Sequence, residues 1–149
     1  MKLGRFECRL ENGRKVVWEA IGPYLNILVG DNGTGKTLLL RELNGCVGGL
    51  KTIYVAAGAE HDFDKKQSIG QRSYASLLNS VRFAIEQGYD AILIDDIELH
   101  LSVQKQVNLI SEMRSIAPDL QFFITTHSPY IYQDWFTHVV DVESLLTDD

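Results

Sequence analysis

The sequence predicts an α/β domain: a mostly parallel sheet flanked by helices, with an antiparallel N-terminal hairpin attached at one side. Three observations carry that expectation. Two strand-like runs near the start are joined through Asn12-Gly13, and Asn-Gly supplies the positive φ angles that a tight hairpin turn demands. Further on, short apolar runs alternate with longer amphipathic stretches, the pattern of units that build a parallel sheet. Between these parts, a glycine-rich stretch from Gly30 to Thr37 directly follows an apolar run and opens a helix-like one.

In chain order, the hairpin strands are expected over Leu3 to Leu10 and Lys15 to Ala20. Gly22-Pro23 breaks the chain before a short apolar strand, Leu25 to Val29. A helix follows over Thr37 to Leu43, with Gly45, Gly48 and Gly49 where helices stop. The β-branched run Thr52 to Ala57 reads as a buried strand. Tyr74, Leu77, Leu78, Val81 and Ile85 recur at helical spacing, so Gln71 to Gln87 is an amphipathic helix ended by Gly88. Ala91 to Ile94 has no polar face and belongs in the middle of a sheet. Val103, Val107, Ile110 and Met113 mark a helix stopped before Pro118, Leu120 to Thr125 is the next strand, and Val139 to Val142 the last. With no repeat or linker, residues 1–149 read as one domain.

Composition narrows the function classes. Hydrophobic residues make up 45% and charged residues 23% of the chain, ordinary globular values. The formal charge of −6 leaves no global basic field for nonspecific nucleic-acid binding. Arg5, Arg9, Arg14 and Lys15 lie close together and read as one solvated hairpin face. Cys8 and Cys46 lack zinc-ligand spacing and suggest no disulfide framework. No apolar signal core and no run of ~18 apolar residues is present, so the expectation is a cytoplasmic chain without a membrane partner.

Gly30-Asp31-Asn32-Gly33-Thr34-Gly35-Lys36-Thr37 satisfies G-x-x-x-x-G-K-[ST] in the strand-to-helix setting the chemistry needs. Glycines let the backbone wrap phosphates and aim successive N–H groups at them. The following helix adds its positive end. Asn32, Gly33, Thr34, Gly35, Lys36 and Thr37 are therefore expected to bind ATP. Lys36 places a point charge on the β- and γ-phosphates, and the Thr37 hydroxyl is a ligand for Mg²⁺.

The apolar strand Ala91 to Ile94 runs into two adjacent acids, Asp95 and Asp96. The carboxyl ends of parallel strands face the ligand crevice. Asp95 is accordingly the second Mg²⁺ ligand, and Asp96 stands where an acid orients the attacking water. Ser68-Ile69-Gly70-Gln71 precedes the long helix and offers a second anion site at a helix N-terminus. Thr125-Thr126-His127-Ser128-Pro129 ends a later strand with a histidine that can hydrogen-bond a γ-phosphate or its water.

This ordered set, GDNGTGKT, SIGQ, ILIDD and TTHSP, resembles the ABC-type ATPases over about residues 24 to 130. IDDIELHLS followed by TTHSP looks most like the OLD-family and related AAA-type (ABC-fold) ATPases, whose pattern runs DEPExHLHP and then THSP. The resemblance implies an ATP-hydrolysing switch in which two nucleotide domains sandwich ATP. The partner would be a second copy of the chain or a related ATPase. By that mapping Ser68 and Gly70 contact the γ-phosphate bound on a partner's Lys36, Asp95 binds Mg²⁺, Asp96 is the catalytic acid, and His127 is the switch. Glu98 and His100 fall in the segment that crosses the dimer interface. A role with a partner protein in DNA repair, genome maintenance or phage defence is implied by the resemblance alone.

The sequence departs from the pattern at three points. Asp96 stands where the family has Glu, one methylene longer; a reacting group misplaced by about an ångström loses ~10²-fold in rate, so slow hydrolysis is expected. Ile97, Ser102 and Val103 replace Pro, His and Pro of the interface segment. The connection from Lys36 to Ser68 is too short for the helical lobe or coiled-coil arms the family inserts there, leaving Gln67 and Glu60 as alternatives for its Mg²⁺-sensing glutamine, and no nuclease domain is expected. Phe6, Trp18 and Tyr24 are the aromatic options for stacking adenine, but each reads first as core packing. Two other readings compete: a non-catalytic nucleotide sensor, and a small P-loop kinase, for which Arg72 and Arg82 are thin material for a lid.

Overall fold

The computed structural model describes residues 1–31, 33, 35–46, 48–56 and 69–147, with side chains omitted over 69–73. Strand β1 (Phe6–Arg9) and strand β2 (Lys15–Trp18) form the expected hairpin, pairing Phe6 with Trp18 and Arg9 with Lys15. Its turn differs from the expected one. Leu10 N donates to Arg14 O (2.8 Å) and Gly13 N to Leu10 O (2.9 Å), while Gly13 (φ 89°) is the one turn residue with positive φ. That is a three-residue loop closed by a left-handed glycine, so the positive φ falls on Gly13 and not on Asn12.

Strand β3 (Leu25–Val29), helix α1 (Lys36–Leu43), strand β4 (Thr52–Ala56), helix α2 (Ile69–Glu86), strand β5 (Ala91–Asp95), helix α3 (Val103–Ile116) and strand β6 (Gln121–Thr125) then alternate as expected. A short helix α4 (Pro129–Tyr132) and strand β7 (Val139–Asp141) follow, and strand β8 (Leu146–Thr147) closes the chain. Among the described residues, five strands form a parallel sheet in the order β4-β5-β6-β3-β7. A smaller antiparallel sheet has the order β1-β2-β8. The two-residue strand β8 was not foreseen, because so short a run has no readable periodicity.

The strand order matters for the site. Strand β6 lies between β3, which leads into the glycine-rich loop, and β5, which carries Asp95. Three segments far apart in sequence thus release their ends side by side.

The period-two alternation of strands sorts the core into two layers. Ile27, Ile92, Ile94, Phe122 and Ile124 pack against α2 and α3 through Leu77, Val81, Leu109, Ile110 and Met113. Leu28, Leu93 and Phe123 face the other way, against α1 (Leu39, Leu40, Leu43) and the hairpin residues Val16 and Trp18. Two expected core positions are corrected. Ile85 and Val103 are 46% and 50% exposed, and Ala84 and Leu109 are buried in their place. Each helix is rotated by about one residue, so that the smaller Ala84 meets the sheet. Tyr74 and Val107 are half-buried.

Candidate functional site

The same alternation delivers the chemistry. Along β5, Ala91, Leu93 and Asp95 share the face that α1 covers, as Phe123 and Thr125 do on β6. Tyr54 of β4 packs on that face too. Asp95 is buried at the carboxyl end of this layer and receives three hydroxyl donors. Thr37 Oγ1 donates to Oδ2 at 2.8 Å, Tyr54 OH donates to the same oxygen at 2.9 Å, and Thr125 Oγ1 donates to Oδ1. The Thr37–Asp95 contact joins the glycine-rich loop to the acid-ended strand, as expected from the sequence.

Lys36 is buried, and its Nζ donates to the carbonyls of Gly30 and Asp31 (3.3 Å for the latter), so the cation is held over the loop. Burial lowers its pKa, against the pull of Asp96, Asp31, Asp95 and Glu98. Gly35, the residue before α1, has φ 102°, and a Cβ there would lie 3.2 Å from Leu10 Cδ1 and 3.7 Å from Asn12 Nδ2 of the hairpin loop. The backbone conformation favours glycine here, and a Cβ would in addition crowd the tip of Leu10.

Beyond β5 the chain turns sharply. Asp96 adopts φ 51°, a left-handed conformation that Asp tolerates better than most residues. Its amide donates to Thr125 Oγ1 (2.8 Å), and the Ile97 amide to Thr125 O (3.1 Å). Burial, with the neighbouring Asp95 and Glu98 carboxylates, pushes the Asp96 carboxyl above its usual range, against the opposing influence of His127 and Lys36. His127 Nε2 lies 4.0 Å from Asp96 Oδ1. Glu98 ties the two segments together, accepting from Thr126 Oγ1 at 2.6 Å and from the His127 amide at 3.2 Å. Leu99 and His100 beyond it are exposed.

One cleft of about 260 Å³ collects Asp31, Gly33, Gly35, Lys36, Thr37, Asp96 and His127, together with Asn12 and Leu38. Of the sequence-predicted residues, Asn32, Thr34 and Ser68 lie outside the described residues, as do Glu60 and Gln67. Gly70 is in the first turn of α2. The aromatic options for adenine do not reach the cleft lining. Trp18 is buried, edge-on to Phe123, and Phe6 packs beside the same core. Tyr24 precedes β3 and so sits at the opposite end of the sheet, about 17 Å of strand from the loop. There it takes cation–π contacts from Lys2 and Arg114. The basic hairpin residues are occupied: Arg5 pairs with Glu7 and Glu19, Lys15 with Glu7, Arg14 with Glu143, and Arg9 donates to Gly13 O.

Asn12, Tyr54 and Thr125 were missed as site residues. Thr125 lay inside the quoted TTHSP motif; Tyr54 and Asn12 needed strand pairing and hairpin packing that sequence spacing does not supply.

Residues 47–132, more than half of the chain, match the family described as "AAA domain, putative AbiEii toxin, Type IV TA system". The chain belongs to this AAA-domain family. The AAA domain is also similar to the Retron Vc95 probable ATPase of Vibrio cholerae serotype O1 biovar El Tor, 39% identical over 44 residues, which cover 30% of this chain and 9% of that protein. It is 33% identical over 70 residues to the Retron Ec83 probable ATPase of Escherichia coli, covering 47% and 12%. The matched segments thus cover only about a tenth of the length of these curated relatives. Two solved structures resemble the AAA domain distantly. They are the replication initiator DnaA bound to AMPPCP and single-stranded DNA (20% identity, 82% of this chain and 37% of that one, TM-score 0.46) and C. elegans PCH-2 (16%, 78% and 34%, 0.48). The chain's own topology, with β6 between the strand that leads into the glycine-rich loop and the strand that ends in Asp95, is that of a P-loop NTPase core. Among the described residues no helix is long and apolar enough to cross a membrane.

Proposed function

We propose that this AAA domain binds ATP with Mg²⁺ and hydrolyses it as a switch, in the manner of the OLD-like, ABC-fold ATPases. The observation that carries this reading is the hydrogen bond from Thr37 to Asp95, which sets the two expected metal ligands side by side at the phosphate loop. Among the described residues no cluster of three or more His, Cys, Asp or Glu could hold a metal alone. Two oxygen ligands beside a phosphate cradle are the share that Mg²⁺ takes from a protein, phosphates and water completing its octahedron. Thr37 and Asp95 would hold the ion, which supplies charge neutralisation on the β- and γ-phosphates.

The chain's own groups do the rest. Lys36 exchanges loop carbonyls for phosphate oxygens. Tyr54 and Thr125 keep the Asp95 carboxylate aimed while Thr37 turns its hydroxyl. Asp96 and His127 line the same cleft as Lys36 and Thr37, where one would orient water and the other sense the γ-phosphate. The left-handed backbone at Asp96 suits aspartate, which gives the short acid a structural reason. Ser68 and Gly70 would meet ATP bound on the Lys36 of a second protomer, giving a sandwiched dimer with itself or a related ATPase. The family description names a toxin–antitoxin system and the relatives are named for retrons; both support a switch that works with a partner protein.

The test is ATP hydrolysis per chain with Mg²⁺ across a wide range of protein concentration. Specific activity that rises with concentration and disappears in Lys36→Ala is the expected result. Activity independent of concentration in a monomer would overturn the sandwich. Tight ATP binding without turnover would leave the nucleotide-sensing reading.

A further inference from the structure

The nucleotide reading leaves one wall of the cleft unexplained, the tip of the N-terminal hairpin. The loop after β1 leans over the start of α1 so closely that a Cβ on Gly35 would stand 3.2 Å from Leu10 Cδ1, and Asn12 lines the cleft with Lys36, Thr37 and Leu38. The two ends of the Asn12 amide have different tasks. Its Oδ1 accepts from the Arg14 amide (3.0 Å), closing the turn. Its Nδ2 points at the phosphate loop, 3.7 Å from where a Gly35 Cβ would stand.

Opposite it lies the amino end of α1. Leu39 N donates to Gly35 O (2.8 Å) across the start of that helix, and the amides of a helix's first turn have no partner within the helix. The cleft is otherwise rich in acids: Asp31 and Asp96 line it, and Lys36 feels Asp95 and Glu98 as well. A polyanion entering such a site gains from every neutral donor that adds no further negative charge.

We infer that Asn12 is a nucleotide-binding residue, its Nδ2 donating to a phosphate oxygen held against the first turn of α1. The inference rests on the proposed ATP site and adds the hairpin to it as the second wall of the phosphate cradle. It also gives Gly35 a second purpose, since a side chain there would hold the hairpin away from the loop.

The test compares Asn12→Asp, Asn12→Ala and Lys36→Ala, measuring affinity for ATP and for inorganic tripolyphosphate, with thermal midpoints alongside. Aspartate keeps the oxygen that accepts from Arg14 N but replaces the donor with a negative charge. Asn12→Asp is expected to fold with an unchanged midpoint and to weaken both ligands about tenfold or more. Asn12→Ala is expected to lose affinity for both less severely, with some loss of midpoint from the turn. Binding by Asn12→Asp within twofold of the unaltered protein, while Lys36→Ala loses it, would overturn the inference and leave the ATP site standing. Weakened ATP binding with tripolyphosphate unaffected would also overturn it, by moving the contact to the sugar or base. ATP binding unaffected by Lys36→Ala would remove the site itself and this inference with it.

Discussion

The two ends of the parallel sheet carry buried polar side chains of opposite character. At the amino end the groups are neutral amides with their partners in place. Gln121 accepts from Leu3 N (2.9 Å) and donates to Leu3 O and Gly22 O (2.8 Å each). Asn26 accepts from Gly22 N (2.7 Å) and donates to Gly22 O (2.9 Å) and Phe122 O (3.2 Å). At the carboxyl end the groups are acids crowded together, Asp95 beside Asp96 and Glu98, with a buried lysine turned onto backbone carbonyls. Satisfied amides staple a sheet to its preceding loops. Like charges brought together oppose folding, and a ligand with compensating charge relieves them. The difference sets a structural end apart from the end that carries the candidate site.

That contrast can be broken most severely at the amino end. Gln121→Leu should strip the side-chain partner from Leu3 N and Leu3 O, and one of two side-chain donors from Gly22 O, and destabilise the domain by about 3 kcal/mol, with nucleotide affinity of the folded fraction unchanged; denaturant unfolding and ATP titration together check both parts. Asp95→Asn should do the reverse. The Mg²⁺-dependent part of ATP affinity should vanish, while the unfolding free energy changes by no more than about 1 kcal/mol, because one of three neighbouring negative charges is gone.

Tyr54→Phe sharpens the comparison within the working end. Burial and the adjacent Asp95 carboxylate push the Tyr54 hydroxyl up to about 12, so it is a neutral donor throughout the useful pH range. Its loss should cost about 1 kcal/mol of stability and raise the Mg²⁺ concentration needed for half-maximal ATP binding several-fold, while metal-free nucleotide binding is unchanged.

The smallest effect belongs to Asp90, beside the structural end. The Lys51 amide (2.8 Å) and then the chain's amino terminus (3.1 Å) hold its carboxyl below the usual range. A carboxylate lowered on folding stabilises the fold above its unfolded pKa, and that stabilisation is lost as pH falls through the folded value. Asp90→Asn should therefore cost about 0.5–1 kcal/mol at pH 7 and nothing at pH 2, as read by thermal unfolding across pH.

What the sequence could announce followed the same divide. The placement of the loop around Lys36 beside the acids at Asp95 and Asp96 was legible because each proposed role sits in consecutive residues at a strand end. Tyr54 was not, since its role depends on β4 pairing next to β5 and on a shared face of the sheet. Asn12 read as turn chemistry alone, because only packing brings the hairpin over Gly35. Trp18 reads first as core packing, and it is buried edge-on to Phe123. The helix faces were misread at Ile85 and Val103, where apolar residues flank the true stripe and the small Ala84 gives closer approach. The Gln121 and Asn26 staples had no sequence signal: their partners are backbone groups up to 118 positions away.

The most direct test of the ATP site is calorimetric titration of ATP into the protein with and without Mg²⁺, repeated on Lys36→Ala. Saturable binding that tightens with Mg²⁺ and is lost in the variant is the result expected of Lys36, Thr37 and Asp95 acting as one site. Binding that is indifferent to both Mg²⁺ and Lys36→Ala would place the nucleotide elsewhere and contradict the account at its centre.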